Sequence, residues 1–517
     1  MKRLAPMLAA AGLIATTVPL LSATQASAAP SAEYTPQKPA WQRCSTDLPA
    51  SYECATVKVP LDYRRPQGRT IDLAISRIKS GNPAKRHGAM LLNPGGPGGS
   101  GLDLPLMMDE LMPKDVRDQY DLIGFDPRGV GGSSPISCGL DPVEQNFDRP
   151  YKEETFSADV AWARTVADKC REKTGSVLPF ITTRNTARDM DAIRAALGEK
   201  KISYVGYSYG TYLGAVYTQM FPNRSDRFVL DSGVDPQRIW RGMIQVWATE
   251  AEPAFKRWTQ WTAERGGEYQ LGDTPEAVSK TFWDLVNRAD REPIEFEGQK
   301  LTGDDIRTAR ALFFYPAQAA PIVKALKDAA DGKPVTLTEP QRGLLKPAAE
   351  PPSDNGTAVF WAVVCGDTEW PRYPEQYERE AIRDKAAYPL YGDFASNIKP
   401  CAYWQRPIEA ATPMKTKTNV LTVQNEWDSQ TPLTSGQGLH RALKGSTMVL
   451  AMGGEGHGVY LADPKSCANA TVNEYLATGK LPAKDVTCQT PPGAAERRAE
   501  AVPSTPQRFP ALPTGRF

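Results

Sequence analysis

The chain has 517 residues, 61 basic and 60 acidic side chains, and a formal net charge of +1. That balance gives no global field to select nucleic acid or an anionic surface, and aromatic and basic residues are not interleaved in a stripe, so nucleic acid is excluded as a partner. The length suits one large α/β domain carrying an insertion, with a core that needs neither metal nor disulfide to be buried.

The chain begins with Met1-Lys2-Arg3, an apolar stretch from Leu4 to Leu21 and the small-residue run Ala26-Ser27-Ala28-Ala29. Basic start, apolar middle and A-x-A exit are the layout of a secretory leader over residues 1–28. Pro19 and the small-residue exit argue against a membrane anchor, and no later stretch is apolar for long enough to span a bilayer. The mature protein, from residue 29, is expected to be extracellular, monomeric and free of the membrane.

Two strands, Thr56 to Asp62 and Thr70 to Ile78, flank the turn-prone Arg64-Arg65-Pro66-Gln67-Gly68 and predict a hairpin. Buried strands alternating with helices follow. Ala89 to Leu92 is a short apolar run ending in Asn93-Pro94-Gly95-Gly96-Pro97-Gly98-Gly99, and Tyr120 to Phe125 ends in Asp126-Pro127-Arg128-Gly129. Asn185 is a candidate cap for a helix with Ala187, Met190, Ile193 and Leu197 on one face, stopped by Gly198. Ile202 to Val205 reads as a strand, Tyr209 to Phe221 as a helix, and Phe228 to Leu230 as the next strand. Such alternation indicates a mostly parallel sheet covered on both faces.

From Pro236 to Trp404 the alternation stops, helical patterns take over, and eight of the 11 tryptophans occur. Strand signals return at Asn419 to Val423 and Thr447 to Leu450, so residues 29–235 and 405–490 read as one α/β domain split by a helical cap. The segment 491–517, rich in Pro, Ala and Arg, reads as a disordered tail. Eight cysteines in an exported chain suggest disulfides, although sequence leaves ~105 connectivities. Pairing of neighbours (Cys44–Cys54, Cys138–Cys170, Cys365–Cys401, Cys467–Cys488) is the simplest, because each pair brackets one local segment. With no C-x-x-C, no H-E-x-x-H and 3 histidines, a metal site is not expected.

Gly206-Tyr207-Ser208-Tyr209-Gly210 is the one G-x-S-x-G, and it lies between a predicted strand and a predicted helix. That is the place of a nucleophile elbow, where the sharp turn exposes the serine above the sheet and small neighbours avoid collision. A serine needs a base. His457 lies in a glycine-rich loop after an apolar run, whereas His440 sits within a predicted helix and His87 precedes a strand. The imidazole needs a carboxylate to fix its tautomer. Asp428 follows the Val420-to-Val423 strand, with Glu426 and Glu455 as rivals, and Ser208…Asp428…His457 is the chain order of the α/β-hydrolase fold. The Asn93-to-Gly101 loop stands where that fold keeps its second oxyanion donor, so backbone N–H groups of Gly96 and Tyr209 are the expected pair. Gly96 to Gly101 also matches G-x-G-x-x-G, with Asp121 or Asp126 for a ribose. Pro97 removes a donor from that turn, and export argues against a nicotinamide cofactor, so no cofactor is expected. Asp126 and Arg128 read as a structural pair holding the loops.

Taken together these motifs resemble the secreted tripeptidyl aminopeptidases of actinomycetes, the exported branch of the proline iminopeptidase-like serine peptidases. The resembling residues are the Asn93-to-Gly101 loop, Gly124 to Gly131, Asn185 to Asp189, the elbow with Gly210 to Tyr217, Asp428 with Thr431-Pro432, His457-Gly458-Val459 and the cysteine layout. Proline iminopeptidases carry a histidine before the Gly-Gly-Pro-Gly loop where this chain has Pro94, so a strict preference for a single N-terminal proline does not carry over. The resemblance implies release of short peptides, chiefly tripeptides, from peptide or protein substrates with free N-termini. A carboxylate must then hold the substrate ammonium. Asp367 is the first candidate because the family shows a Cys-x-Asp there, as in Cys365-Gly366-Asp367; Glu369, Glu250 and Glu252 are others. An esterase or lipase on the same fold, or a catalytically silent secreted binding protein, are the alternatives.

Overall fold

The structure is a computed structural model describing residues 34, 36–338, 341–342 and 353–490. The predicted leader over 1–28 and the tail from 491 lie outside the described residues. Twelve strands occur in chain order: β1 Gln42–Arg43, β2 Tyr52–Pro60, β3 Thr70–Ile78, β4 Gly88–Asn93, β5 Tyr120–Phe125, β6 Ile202–Tyr207, β7 Ser225–Asp231, β8 Ile294–Phe296, β9 Gln299–Leu301, β10 Val420–Trp427, β11 Thr447–Glu455 and β12 Val486–Gln489. Ten of them form one sheet in the order β1-β2-β3-β5-β4-β6-β7-β10-β11-β12. The pairs from β1 to β5 are antiparallel, and all pairs from β5 to β12 are parallel. This is an α/β-hydrolase fold.

The period of two along each strand sends alternate side chains to opposite cores. On β6, Ile202 and Tyr204 join a core beneath the helices Phe156–Thr174, Thr183–Ala196 and Tyr209–Met220, whereas Val205 and Tyr207 face Met90, Val229, Val423 and Val449. Both faces are covered, so the central strands read as unbroken apolar runs.

Between β7 and β10 the described residues are mainly helical, with Arg241–Ala263, Pro275–Arg291, Pro316–Ala330, Asn355–Gly366 and Pro374–Ala387 the longest helices among them, plus the small β8–β9 hairpin that the sequence reading lacks. Disulfides join Cys44 to Cys54, Cys138 to Cys170, Cys365 to Cys401 and Cys467 to Cys488. Among the described residues no helix is long and apolar enough to cross a membrane.

Two local expectations are corrected. The cap of the Thr183–Ala196 helix is Thr182, whose hydroxyl accepts from Asn185 N at 3.3 Å; Asn185 sits inside the first turn and donates its Nδ2 to the Phe180 carbonyl. Arg128 pairs with Asp189 rather than Asp126, at 2.6 and 2.7 Å and fully buried. Asp126 instead accepts from Ser100 Oγ, Gly101 N and Gly132 N, tying the glycine loop to the end of β5. Proximity in sequence suggested the wrong partner: a guanidinium just past the end of β5 reached the neighbouring helix.

Candidate active site

The elbow is built by its small residues. After β6, Ser208 takes φ 56° and ψ −125°, and the Tyr209–Met220 helix starts at once. A Cβ on Gly206 would stand 2.4 Å from the Tyr204 ring and 2.7 Å from the Gly210 carbonyl, and one on Gly210 would stand 2.7 Å from Asn93 Oδ1. Only glycine fits at both places. A non-glycine residue at that φ stores about 1–3 kcal/mol, which the surrounding bonds must hold: Ser208 N donates to the Asp231 carbonyl at 3.0 Å, and Thr211 returns its N–H and hydroxyl to the Ser208 carbonyl.

The glycine loop lies directly against this turn. A Cβ on Gly95, at φ +99°, would stand 2.5 Å from the Tyr207 carbonyl and 2.9 Å from Ser208 Cβ. Asn93 Oδ1 accepts from Gly95 N at 3.0 Å and fixes the loop's departure from β4. Ser208, Tyr209, Gly96 and Pro97 line one cleft of about 390 Å³ with Val234, Trp240, Met243, Ile244, Trp247, Phe360, Val364, Gln430 and Thr431. Its walls are apolar apart from Gln430, Thr431 and the elbow.

Asp428 follows β10 and is fully buried. Its Oδ1 accepts from Gln430 N at 2.8 Å and Thr431 N at 2.9 Å, and Oδ2 from Thr431 Oγ1 at 3.0 Å. His457 Nδ1 lies 2.9 and 3.0 Å from the two oxygens and 3.4 Å from Thr431 Oγ1. Burial works against charge on the imidazole, but the charge and hydrogen bond of Asp428, with the charge of Asp231, outweigh it and hold His457 above its ordinary 6.5. Nδ1 being engaged, Nε2 is the nitrogen left for Ser208. Among the described residues no hydrogen bond joins Nε2 to the Ser208 hydroxyl; such bonds are often long in free enzymes and tighten with substrate. The rival acids are employed elsewhere. Glu426 accepts from Gly453 N at 2.7 Å, and Glu455 pairs with Arg257. His87 and His440 pair with Asp226 and Asp485, away from the elbow.

The loop carrying His457 is gripped on both sides. Asn425 Nδ2 donates to the Gly456 and Gly458 carbonyls at 2.9 and 3.2 Å. Asp231, at the end of β7, accepts from Val459 N and Tyr460 N. The sequence reading missed Asp231: Phe-Val-Leu-Asp looks like the end of a strand, and its partners lie far along the chain.

The four carboxylates expected at the substrate amine go different ways. Asp367 accepts from Thr183 N at 2.8 Å, Thr183 Oγ1 at 2.5 Å and Trp240 Nε1 at 3.1 Å, so it serves the start of the Thr183–Ala196 helix. Burial pushes its carboxyl up to about 6 against those donors. Asp367 is not among the residues that line the Ser208 cleft; it lines a separate depression with Thr183, Arg184 and Tyr212. The Glu369 side chain is 65% exposed, with Arg406 3.8 Å away. Glu250, on the Arg241–Ala263 helix, accepts from Thr434 Oγ1 at 3.0 Å and is half-buried. Glu252 accepts from Leu390 N.

Two families match the chain: "alpha/beta hydrolase fold" over residues 88–301 and "TAP-like protein" over residues 388–488. The tripeptidyl aminopeptidase of Streptomyces lividans is 38% identical over 469 residues, covering 87% of this chain and 86% of that protein. Serine protease Hip1 of Mycobacterium tuberculosis is 28% identical, covering 87% and 90%. A protein of the same species named carboxylesterase B is 30% identical, covering 92% and 95%. With that identity along nearly the whole of both chains, the chain belongs to the tripeptidyl aminopeptidase family, serine peptidases of the α/β-hydrolase fold.

Proposed function

We propose that the chain is a secreted exopeptidase that releases short peptides, chiefly tripeptides, from free N-termini, with Ser208 as nucleophile, His457 as base and Asp428 as the acid that orients it. The observation that carries this reading is the Asp428–His457 contact beside a cleft that Ser208 lines. His457 Nε2 takes the Ser208 proton as Oγ attacks the carbonyl, and Asp428 holds the tautomer and the imidazolium. The N–H groups of Gly96 and Tyr209 receive the oxyanion; within the protein, among the described residues, no acceptor takes either. The same imidazole then protonates the leaving amine, and water resolves the acyl-enzyme. Export is supported by the residue 1–28 layout and by four disulfides, which persist in oxidising compartments.

Of the four carboxylates, Glu250 is the one this reading assigns to the substrate ammonium. It lies three residues beyond Trp247 on one helix, hence on the same face as a cleft wall. Mass spectrometry of products from unblocked and N-acetylated peptides of graded length tests the reading. Tripeptides from the unblocked set alone are expected; equal cleavage of both sets discards the free-amine mechanism. The relative named carboxylesterase B motivates the second reading, an esterase, which turnover of aryl esters with no turnover of unblocked amides would favour.

A further inference from the structure

Three strands meet beneath the site in the order β6, β7, β10, and they end in Tyr207, Asp231 and, just past the end of β10, Asp428. Asp231 is fully buried in the middle position and touches both moving parts of the chemistry. Its carbonyl accepts from Ser208 N at 3.0 Å. Its carboxylate accepts from Val459 N at 3.1 and 3.0 Å, from Tyr460 N and from Ser232 Oγ at 3.0 Å. Ser232 Oγ in turn accepts from Gly458 N at 2.9 Å. Three consecutive amides after His457 therefore end on one Asp-Ser unit. Backbone N–H groups that converge in this way are an anion site, and here the anion is supplied by the chain itself. Tyr207 of the elbow adds a second tie, its hydroxyl donating to the Tyr460 carbonyl at 2.9 Å.

We infer that Asp231 is a positioning residue for the reaction: its ionised carboxylate holds the His457 loop in register with Ser208 and adds negative charge behind the imidazolium. It touches no reacting atom, and the inference rests on the Ser208–His457–Asp428 reading above. A neutral carboxyl would do neither task, since an O–H pointed at N–H groups loses an acceptor. Facing groups are the Asp428 carboxylate from β10, the Tyr207 ring from β6, and Tyr460 with His457 from the base loop. Burial pushes the Asp231 carboxyl up to about 7, against the lowering pull of the Tyr460 and Val459 amides and Ser232; Asp428 raises it further. The sign follows. His457 must be neutral to act, a negative neighbour favours its protonated form, and removing that neighbour moves the acid limb of kcat/KM to lower pH.

The test uses the mature chain and an unblocked tripeptide p-nitroanilide, with kcat and KM measured across the acid limb. Asp231→Asn is expected to lower kcat about tenfold or more at nearly unchanged KM, and to move the acid limb down by about half a pH unit. Ser232→Ala, which loosens the clamp without changing charge, is expected to lower kcat several-fold with the limb unmoved. Folded Asp231→Asn with wild-type kcat, or with lowered kcat on a wild-type limb, overturns the assignment. Should Asp231→Asn not fold, Ser232→Ala decides: a lowered kcat at constant KM supports the clamp, and wild-type kcat overturns it. Ser208→Ala runs alongside, because full turnover in that variant would sink the triad reading itself rather than the clamp.

Discussion

Trp247, on the helical segment between β7 and β10, donates its indole N–H to the carbonyl of Gln430 at 2.6 Å, two residues past Asp428. Arg310 Nη1 reaches the Ser429 carbonyl at 3.2 Å and lies 4.8 Å over the Trp247 ring. The turn that carries Asp428 is thus braced from the helical segment as well as from the sheet. Trp247→Phe keeps an aromatic cleft wall and removes the donor, leaving a half-buried carbonyl unpaired. It is expected to cost about 1–3 kcal/mol in urea unfolding and to lower kcat more than it raises KM. Unchanged stability and turnover would show that the brace contributes nothing.

The acid limb of the pH profile should report His457 and Asp231 together, because burial pushes the Asp231 carboxyl up to about 7 and its charge is lost over the same range. Asp428 and Asp231 hold the His457 pKa above 6.5 despite burial, and the base acts only when neutral, so kcat/KM is present above that raised value and lost as pH falls through it. Asp428→Asn removes both the charge and the tautomer control, so kcat should fall by roughly 10⁴-fold. An Asp428→Asn variant with near wild-type kcat would remove Asp428 from the mechanism.

How far the sequence reveals this arrangement depends on how local each feature is. The elbow, the glycine loop and the strands β3 to β7 are legible because apolar runs and forced glycines act over a few residues. The places of Ser208 at the elbow, and of Asp428 within bonding reach of His457, follow from those positions and chain order. Asp231 is not legible, since its meaning lies in amides more than two hundred residues away. The donors that Asp367 takes, Thr183 and Trp240, are likewise distant in the sequence and cannot be read from Cys365-Gly366-Asp367 alone. The short β12 escaped notice because Val486 to Gln489 is only partly buried and pairs on one edge.

Arg128 and Asp189 should behave as a buried pair. Arg128→Ala leaves a fully buried carboxylate without its cation, and Tyr63 Oη at 2.8 Å is too weak a substitute. A loss of about 3–5 kcal/mol is expected in equilibrium unfolding, since a lone buried charge is what costs. A loss under about 1 kcal/mol would mean that the site rearranges or takes up water.

Gly95→Ala tests the contact between glycine loop and elbow. The added methyl meets the Tyr207 carbonyl at 2.5 Å on a backbone with φ +99°, so either the loop or the elbow must move. Turnover is expected to fall about a hundredfold or more, with a stability loss of about 1–3 kcal/mol. Wild-type turnover would place the oxyanion donors elsewhere.

Reaction with a fluorophosphonate, followed by peptide mapping of the adduct, tests the central assignment most directly. Label is expected on Ser208 alone, with labelling and peptide turnover both abolished in Ser208→Ala. Label on another residue, or turnover that survives Ser208→Ala in folded protein, would contradict the account.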